Sequence, residues 1–308
     1  MSAASPPSSR APIAIVGTGL IGGSFGLALR DSGYQGEIRG FDRPEILAAA
    51  QRRGAINRRS PSLEAACRGA AVVLLALPIG AILDLLPRIA ASLDPGTVVT
   101  DTGSTKRRIC AAARSLSFPP GAVFLGGHPM AGRETGGIEN ADPRLFAGAT
   151  WLLAGEPADW LRLRRQARRF ITLVARVGAK PLWTGPADHD AALARLSHLP
   201  QLVSTALACH LDKVFRDPDR RPLLGAAGPG ARDMLRLAAS PYSLWRDILL
   251  TNSDAIDAAL SEMQQILEEM RLALRGREMQ RMFAAAAGLA LRLPAVRPAK
   301  TGRTRSRA

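Results

Sequence analysis

Very little in this chain of 308 residues could staple or anchor it. There are three cysteines, Cys67, Cys110 and Cys209, odd in number, far apart and in no metal-ligand spacing. Neither a disulfide framework nor a zinc site is expected, and the thiols read as reduced. No run of about 18 apolar residues occurs, so a membrane-spanning helix is not expected. Met1 to Arg10, rich in Ser and Pro, lacks the apolar block of a secretion signal and reads as a floppy leader. The expectation is a cytoplasmic protein. Aromatic residues make up only 5% of a chain that is 47% hydrophobic, which leaves the core to Ala, Leu, Val and Ile. Lysine is scarce too: four of the 41 basic residues are lysine and 37 are arginine, giving a net charge of +15. With alanine also abundant, that pairing reads as a bias of the coding sequence more than a binding face. Arg292 to Ala308 holds six basic and no acidic residues, the mark of a disordered end. No nucleic-acid-binding motif is present, so neither nucleic acid nor membrane is an expected partner. A small anionic substrate would gain from the positive field.

What the chain does have is alternation. Pro12 to Val16 is a short apolar run typical of a buried parallel strand. It enters Gly17-Thr18-Gly19-Leu20-Ile21-Gly22, after which Gly23 to Asp31 has helical spacing. Strand, glycine turn and helix together are the context that a G-x-G-x-x-G motif requires. Gly17 would permit the tight turn, Gly19 the close approach of backbone to a pyrophosphate, and Gly22 the contact of helix with strand. A second strand, Glu37 to Phe41, ends in Asp42, 20 residues beyond Gly22, where a carboxylate meets the adenosine ribose hydroxyls. A dinucleotide site follows. Asp42 favours NAD because it would repel the 2′-phosphate of NADP; Arg43 beside it could hold that phosphate or stack on adenine.

Further strand and helix signals alternate as far as a last strand at Lys180 to Trp183, and Gly185-Pro186 marks a break. Only helical patterns follow. The fold class is therefore α/β, a mostly parallel sheet domain followed by an all-helical one. The divisions are a leader at 1–10, a dinucleotide-binding domain at 11–186, a helical substrate and dimerisation domain at 187–290, and a basic tail at 291–308. Pro200 should kink a long helix from Ala187 to Phe215. Gly225 to Gly230 reads as a linker. Asn252 to about Ala287 reads as one long helix whose apolar stripe, from Ile256 to Leu274, seeks a partner and predicts a homodimer.

Among four histidines, His189 and His210 sit in helical surroundings and read as structural or exposed. His198 could pack or line a cleft. His128 differs, because it lies in a glycine-rich turn at the carboxyl edge of the sheet, with Glu134 six residues on. A group titrating near neutrality suits hydride chemistry at an alcohol carbon, where the hydroxyl proton needs an acceptor. Ser104, in the strand-to-helix turn Asp101-Thr102-Gly103-Ser104-Thr105-Lys106, is either a helix cap or a hydroxyl within reach of a substrate or imidazole. With no zinc constellation and no nucleophile elbow, a metal-free dehydrogenase survives and a hydrolase does not.

These segments also resemble the prephenate and arogenate dehydrogenase family. The resemblance rests on Gly17 to Ser24, Asp101 to Lys106, Gly127 to Gly137, His189-Asp190, Ser197-His198-Leu199-Pro200, Arg232 to Arg236 and Trp245-Arg246-Asp247. It implies a Rossmann domain, a helical dimerisation domain, and NAD-dependent oxidative decarboxylation in tyrosine synthesis. By resemblance His128 accepts the substrate hydroxyl proton and Ser104 hydrogen-bonds both His128 and that hydroxyl. Arg236 holds a carboxylate and Glu134 tunes the pocket. Where many members carry a second histidine after Ser-His-Leu-Pro, this chain has Gln201, which hydrogen-bonds but carries no charge. Prephenate and arogenate both stay open as substrates. The leader and tail are too short for a regulatory domain or a fused mutase, so control by tyrosine would act at the active site. The rival readings are a β-hydroxyacid dehydrogenase or imine reductase, for which Lys213 is the available lysine, and a silent NAD-binding partner protein.

Overall fold

The structure, a computed structural model, describes residues 10–133 and 135–293. The expected leader apart from Arg10, Glu134, and the expected tail beyond Leu293 lie outside the described residues. The chain divides into two compact units, Met1–Ile256 and Asp257–Ala308.

The first unit is built on one eight-stranded sheet. In chain order the strands are β1 (Ile13–Val16), β2 (Ile38–Phe41), β3 (Arg58–Arg59), β4 (Val72–Leu75), β5 (Val98–Asp101), β6 (Val123–Pro129), β7 (Thr150–Ala154) and β8 (Lys180–Thr184). Across the sheet they run β3-β2-β1-β4-β5-β6-β7-β8. Every pairing is parallel except β6 with β7. β1, β4 and β5 are buried along their whole length, which is why they read as unbroken apolar runs: a parallel strand is covered on both faces. β3 went unforeseen because its two exposed arginines give no apolar signal.

Register sets the site. Val16 pairs with Leu75 and Leu75 with Asp101, so β1, β4 and β5 end level and their following turns open at one edge. β6 pairs with β5 only as far as Leu125, then continues antiparallel to β7 through Pro129. His128 therefore stands on a strand, opposite Leu152, and not in the glycine-rich turn that the sequence suggested. The scarce aromatic residues are pooled beneath this strand pair. Trp151 of β7 meets Phe25, Phe146 and Phe170 at ring separations of 5.2 to 5.7 Å.

Past β8 every regular element of the first unit is helical. Pro200 does not kink a continuous helix. A wide π turn, Ala194–His198, precedes it, and Pro200 sits in the first turn of a new helix, Leu199–Phe215. That placement suits a residue with no amide to donate. The Gly225 to Gly230 stretch lies across a 3-10 turn, Arg221–Ala226, and the start of the helix Pro229–Leu235. The long closing helix is two, Ser253–Ala273 and Arg277–Arg292, divided at Gly276, the poorest helix former available there. In the second unit Leu267, Leu274, Phe283 and Leu289 are all more than half exposed. A monomer rarely leaves such a set in water. No described helix is long and apolar enough to cross a membrane.

Candidate active site

The turn after β1 is shaped by what its glycines leave out. Gly17 has φ +90°, and a Cβ there would strike the carbonyl oxygen of Ala76. At Gly22 a Cβ would strike the Gly17 carbonyl oxygen and come within 2.8 Å of Ile15. At Gly19 it would meet nothing within 4 Å. That residue faces open space, the cradle a pyrophosphate needs if backbone is to approach it. The helix that follows, Leu20–Asp31, has no side-chain cap, so its first-turn amides and dipole face the same opening. Asp42, just past β2, accepts hydrogen bonds from the Thr18 amide at 2.7 Å and the Arg43 amide at 2.8 Å. Its carboxylate is held against the glycine turn, while Arg43 is exposed beside Glu45. These residues fit a dinucleotide.

Behind the neighbouring turns lies a buried polar cluster. His128 is 9% exposed, and its Nδ1 lies 3.0 Å from Nε2 of His189. His189 Nδ1 lies 2.7 Å from Asp190 Oδ1. The Asp190 carboxylate also accepts the backbone amides of Lys106 at 2.6 Å and Arg107 at 2.9 Å, capping the helix Arg107–Arg114. Lys106, wholly buried, ion-pairs with Asp101, whose other oxygen accepts the Gly127 amide at 3.1 Å. Burial holds the His128 pKa well below the usual imidazole value, and positive charge on His189, Lys106 or His198 would push the same way. His189 is lowered as well, again chiefly by burial, with Asp190 opposing.

A cleft of about 660 Å³ joins the two regions. Leu20 and Ile21 line it from the glycine turn, Ser104 from the turn after β5, and His128 from β6. Gln201, Leu237 and Trp245 line it from the helical part of the same unit. Ser104 does not cap the helix after it; Asp190 does. Gln201 is fixed by donation from Nε2 to the Leu237 carbonyl at 2.8 Å. Arg236 is exposed and opens the turn Arg236–Ala239, beside the cleft-lining Leu237. His198 is not among the lining residues. It is buried with Nδ1 3.3 Å from Asn252, its ring edge-on to Trp245, and burial lowers its pKa to about 4.

Four residues of this arrangement were not singled out by local pattern: Asp101, Lys106, His189 and Asp190. The helical surroundings of His189 suggest a structural or exposed residue, yet it adjoins His128. The available signals were weak. One of only four lysines follows an Asp five residues earlier across a turn, and a His-Asp pair opens the first helix after the sheet.

Comparison with known proteins accords with this layout. Residues 25–182 match the family model for the prephenate dehydrogenase nucleotide-binding domain, and residues 185–287 match the one for the prephenate dehydrogenase dimerization domain. The prephenate dehydrogenase of Lactococcus lactis subsp. cremoris is 33% identical over 272 residues, covering 87% of this chain and 72% of that protein. The crystal structure of Synechocystis arogenate dehydrogenase superposes with a TM-score of 0.77 at 29% identity, covering 91% of this chain and 98% of that one. A prephenate dehydrogenase from A. aeolicus, solved with hydroxyphenyl propionate and NAD+, gives 0.76 at 27% identity, covering 91% and 96%. The dimerization-domain match fits a homodimer. On its sequence, its fold and these likenesses together, the chain belongs to the prephenate dehydrogenase family and is an oxidoreductase.

Proposed function

We propose that the protein catalyses oxidative decarboxylation of a cyclohexadienyl substrate with NAD, turning prephenate into 4-hydroxyphenylpyruvate. The observation that carries this reading is His128, buried yet lining the cleft, with Nδ1 engaged behind it. Its other nitrogen, Nε2, is left for a substrate. An imidazole whose pKa is held low by burial is neutral at physiological pH and ready to take a proton.

In this reading the substrate's ring hydroxyl lies between His128 and Ser104. His128 Nε2 takes the hydroxyl proton as the carbon–hydrogen pair on the same carbon leaves as hydride. A bound nicotinamide supplies the hydride acceptor. The bond from the ring to its carboxylate then breaks and carbon dioxide leaves. The freed electron pair restores aromaticity, and the ring oxygen reclaims its proton from His128. Ser104 holds the oxygen in place throughout. Arg236, at the cleft's margin, holds a substrate carboxylate as a charge-assisted pair. Asp42 meets the adenosine ribose, and Gly19 with the helix Leu20–Asp31 receives the pyrophosphate.

Gln201 favours a second substrate, arogenate. With its amide nitrogen donating to the Leu237 carbonyl, the group Gln201 has left is a carbonyl acceptor, which suits an ammonium better than a ketone. The test is a side-by-side assay of NADH and NADPH formation with prephenate and with arogenate. Turnover of neither would remove the proposal, and the ratio of the two kcat/KM values assigns the side chain.

A further inference from the structure

We propose that His189 and Asp190 act on His128 as a positioning relay that fixes which ring nitrogen of His128 carries its proton. This rests on the reading of His128 as the proton acceptor. The logic runs outward from the carboxylate. Both oxygens of Asp190 are occupied by donors, the amides of Lys106 and Arg107, and Oδ1 also faces His189 Nδ1 at 2.7 Å. A carboxylate only accepts, so His189 must place its proton on Nδ1. Neutral His189 then has a lone pair on Nε2, 3.0 Å from His128 Nδ1. That lone pair requires a proton on His128 Nδ1. The remaining nitrogen of His128, Nε2, is left as the acceptor. The reverse assignment would set a proton against a proton at the 3.0 Å contact, or leave a carboxylate facing a lone pair.

Each member of the relay is fixed by a different part of the fold. Asp190 is joined through two amides to the helix Arg107–Arg114, and its own carbonyl accepts from Asn252 Nδ2 at 2.9 Å. The His189 amide donates to Gly185 at 2.8 Å. His128 is held by the β6–β7 pairing and by Asp101 through the Gly127 amide. All three side chains are buried, so water does not compete for these bonds. When His128 gains the substrate proton, its Nδ1–H continues to donate to His189, and no ring has to turn during the reaction.

Two measurements on the full-length dimer test this. Long-range 1H–15N correlation spectra of uniformly 15N-labelled enzyme report the tautomer of each neutral imidazole, and only four histidines contribute. His128 should show the Nδ1–H form; the Nε2–H form in the wild-type enzyme would overturn the relay whatever the variants do. Kinetics supply the second arm. His189→Leu keeps the volume but removes the acceptor, and should lower kcat by roughly 10- to 100-fold with little change in KM for NAD. His189→Gln restores an acceptor and should recover to within about tenfold of wild type. An unchanged kcat in His189→Leu that still binds NAD also overturns the proposal. His128→Asn separates the two levels. If it abolishes turnover while His189→Leu does not, the relay is wrong and the base stands. If His128→Asn retains full kcat, the base itself was misassigned.

Discussion

Two regions meet at the same edge of the sheet, and they are built on opposite principles. The turn after β1 works through absence. Gly17 and Gly22 have no room for a Cβ, Gly19 has room that no described residue fills, and the uncapped first turn of a helix faces the opening. Around His128 the work is done by side chains, and every one of them is spoken for: His189, Asp190, Asp101 and Lys106 form a buried network with few spare positions. The first region fails when atoms are added, the second when one functional atom is lost. A low local dielectric makes the second kind of failure costly, because a buried polar group left alone keeps its full desolvation penalty.

Removing the imidazole gives the largest expected effect. His128→Asn should lower kcat by roughly 10²- to 10⁴-fold while NAD affinity barely moves. Equilibrium NAD binding followed by intrinsic fluorescence, alongside steady-state rates, would check both halves. The corresponding perturbation of the glycine turn divides by position. Gly17→Ala must adopt φ +90° and meets the Ala76 carbonyl. A cost of at least about 2 kcal/mol is expected, lowering Tm by roughly 4–8 °C. Gly19→Ala should leave Tm unchanged, since its methyl meets no protein atom, and should raise KM for NAD by about tenfold through lost approach to the pyrophosphate. Equal melting temperatures for the two variants would erase the distinction between a turn glycine and a ligand glycine.

The same contrast explains what could be read in advance. The glycine turn is local: strand, turn and helix fall within twenty residues, and Asp42 follows at a fixed spacing, so pattern alone was sufficient. Buried strands β1, β4 and β5 were legible for the same reason. The His128 network is not local. Asp190 caps a helix 83 residues earlier, and His189 meets a partner 61 residues away. Nothing in the helical surroundings of His189 distinguishes a histidine that holds another from one that merely packs. Gly126 and Gly127 resemble turn residues, which is why the sequence suggests a turn at His128. They instead let β6 pass close to its neighbours, since a Cβ on Gly127 would strike the Asp101 carbonyl oxygen. Glycine within a strand can mark close approach and not only a bend.

Acid should weaken the side-chain region selectively. His128, His189 and His198 all have folded-state pKa values lowered by burial, the last to about 4. Between those values and about 6.5 the unfolded chain binds more protons than the folded one, so stability rises with pH and falls on acidification. Each histidine that titrates fully only on unfolding contributes a slope on the order of 1 kcal/mol per pH unit. Carboxylates held low by their partners, such as Glu37 and Asp247, enter only below about 4.5. Thermal melts at pH 7.5, 6.5, 5.5 and 4.5 should show Tm dropping across the middle of that range. A Tm independent of pH from 7 to 5 would mean the three imidazoles are not buried neutral.

The smallest expected effect tests whether the glycine turn carries any side-chain chemistry. Asp42 accepts the Thr18 and Arg43 amides there, and in the proposed reading it also sets a negative charge where the adenosine ribose would lie. Asp42→Asn removes the charge while its single amide oxygen still accepts from Thr18, at the loss of the second oxygen that accepts the Arg43 amide. If charge is what rejects the 2′-phosphate, the preference for NAD over NADP should shrink by about tenfold, worth roughly 1.4 kcal/mol. Exposed Arg43, next in the chain, would then be available to receive the phosphate. KM for NAD should rise only slightly, since one ribose hydrogen bond weakens while the acceptor for the Thr18 amide is kept. A preference that stays put in Asp42→Asn would show that the carboxylate's charge does not set the discrimination, leaving Asp42 only its structural contacts with the Thr18 and Arg43 amides and sharpening the contrast with the histidine network.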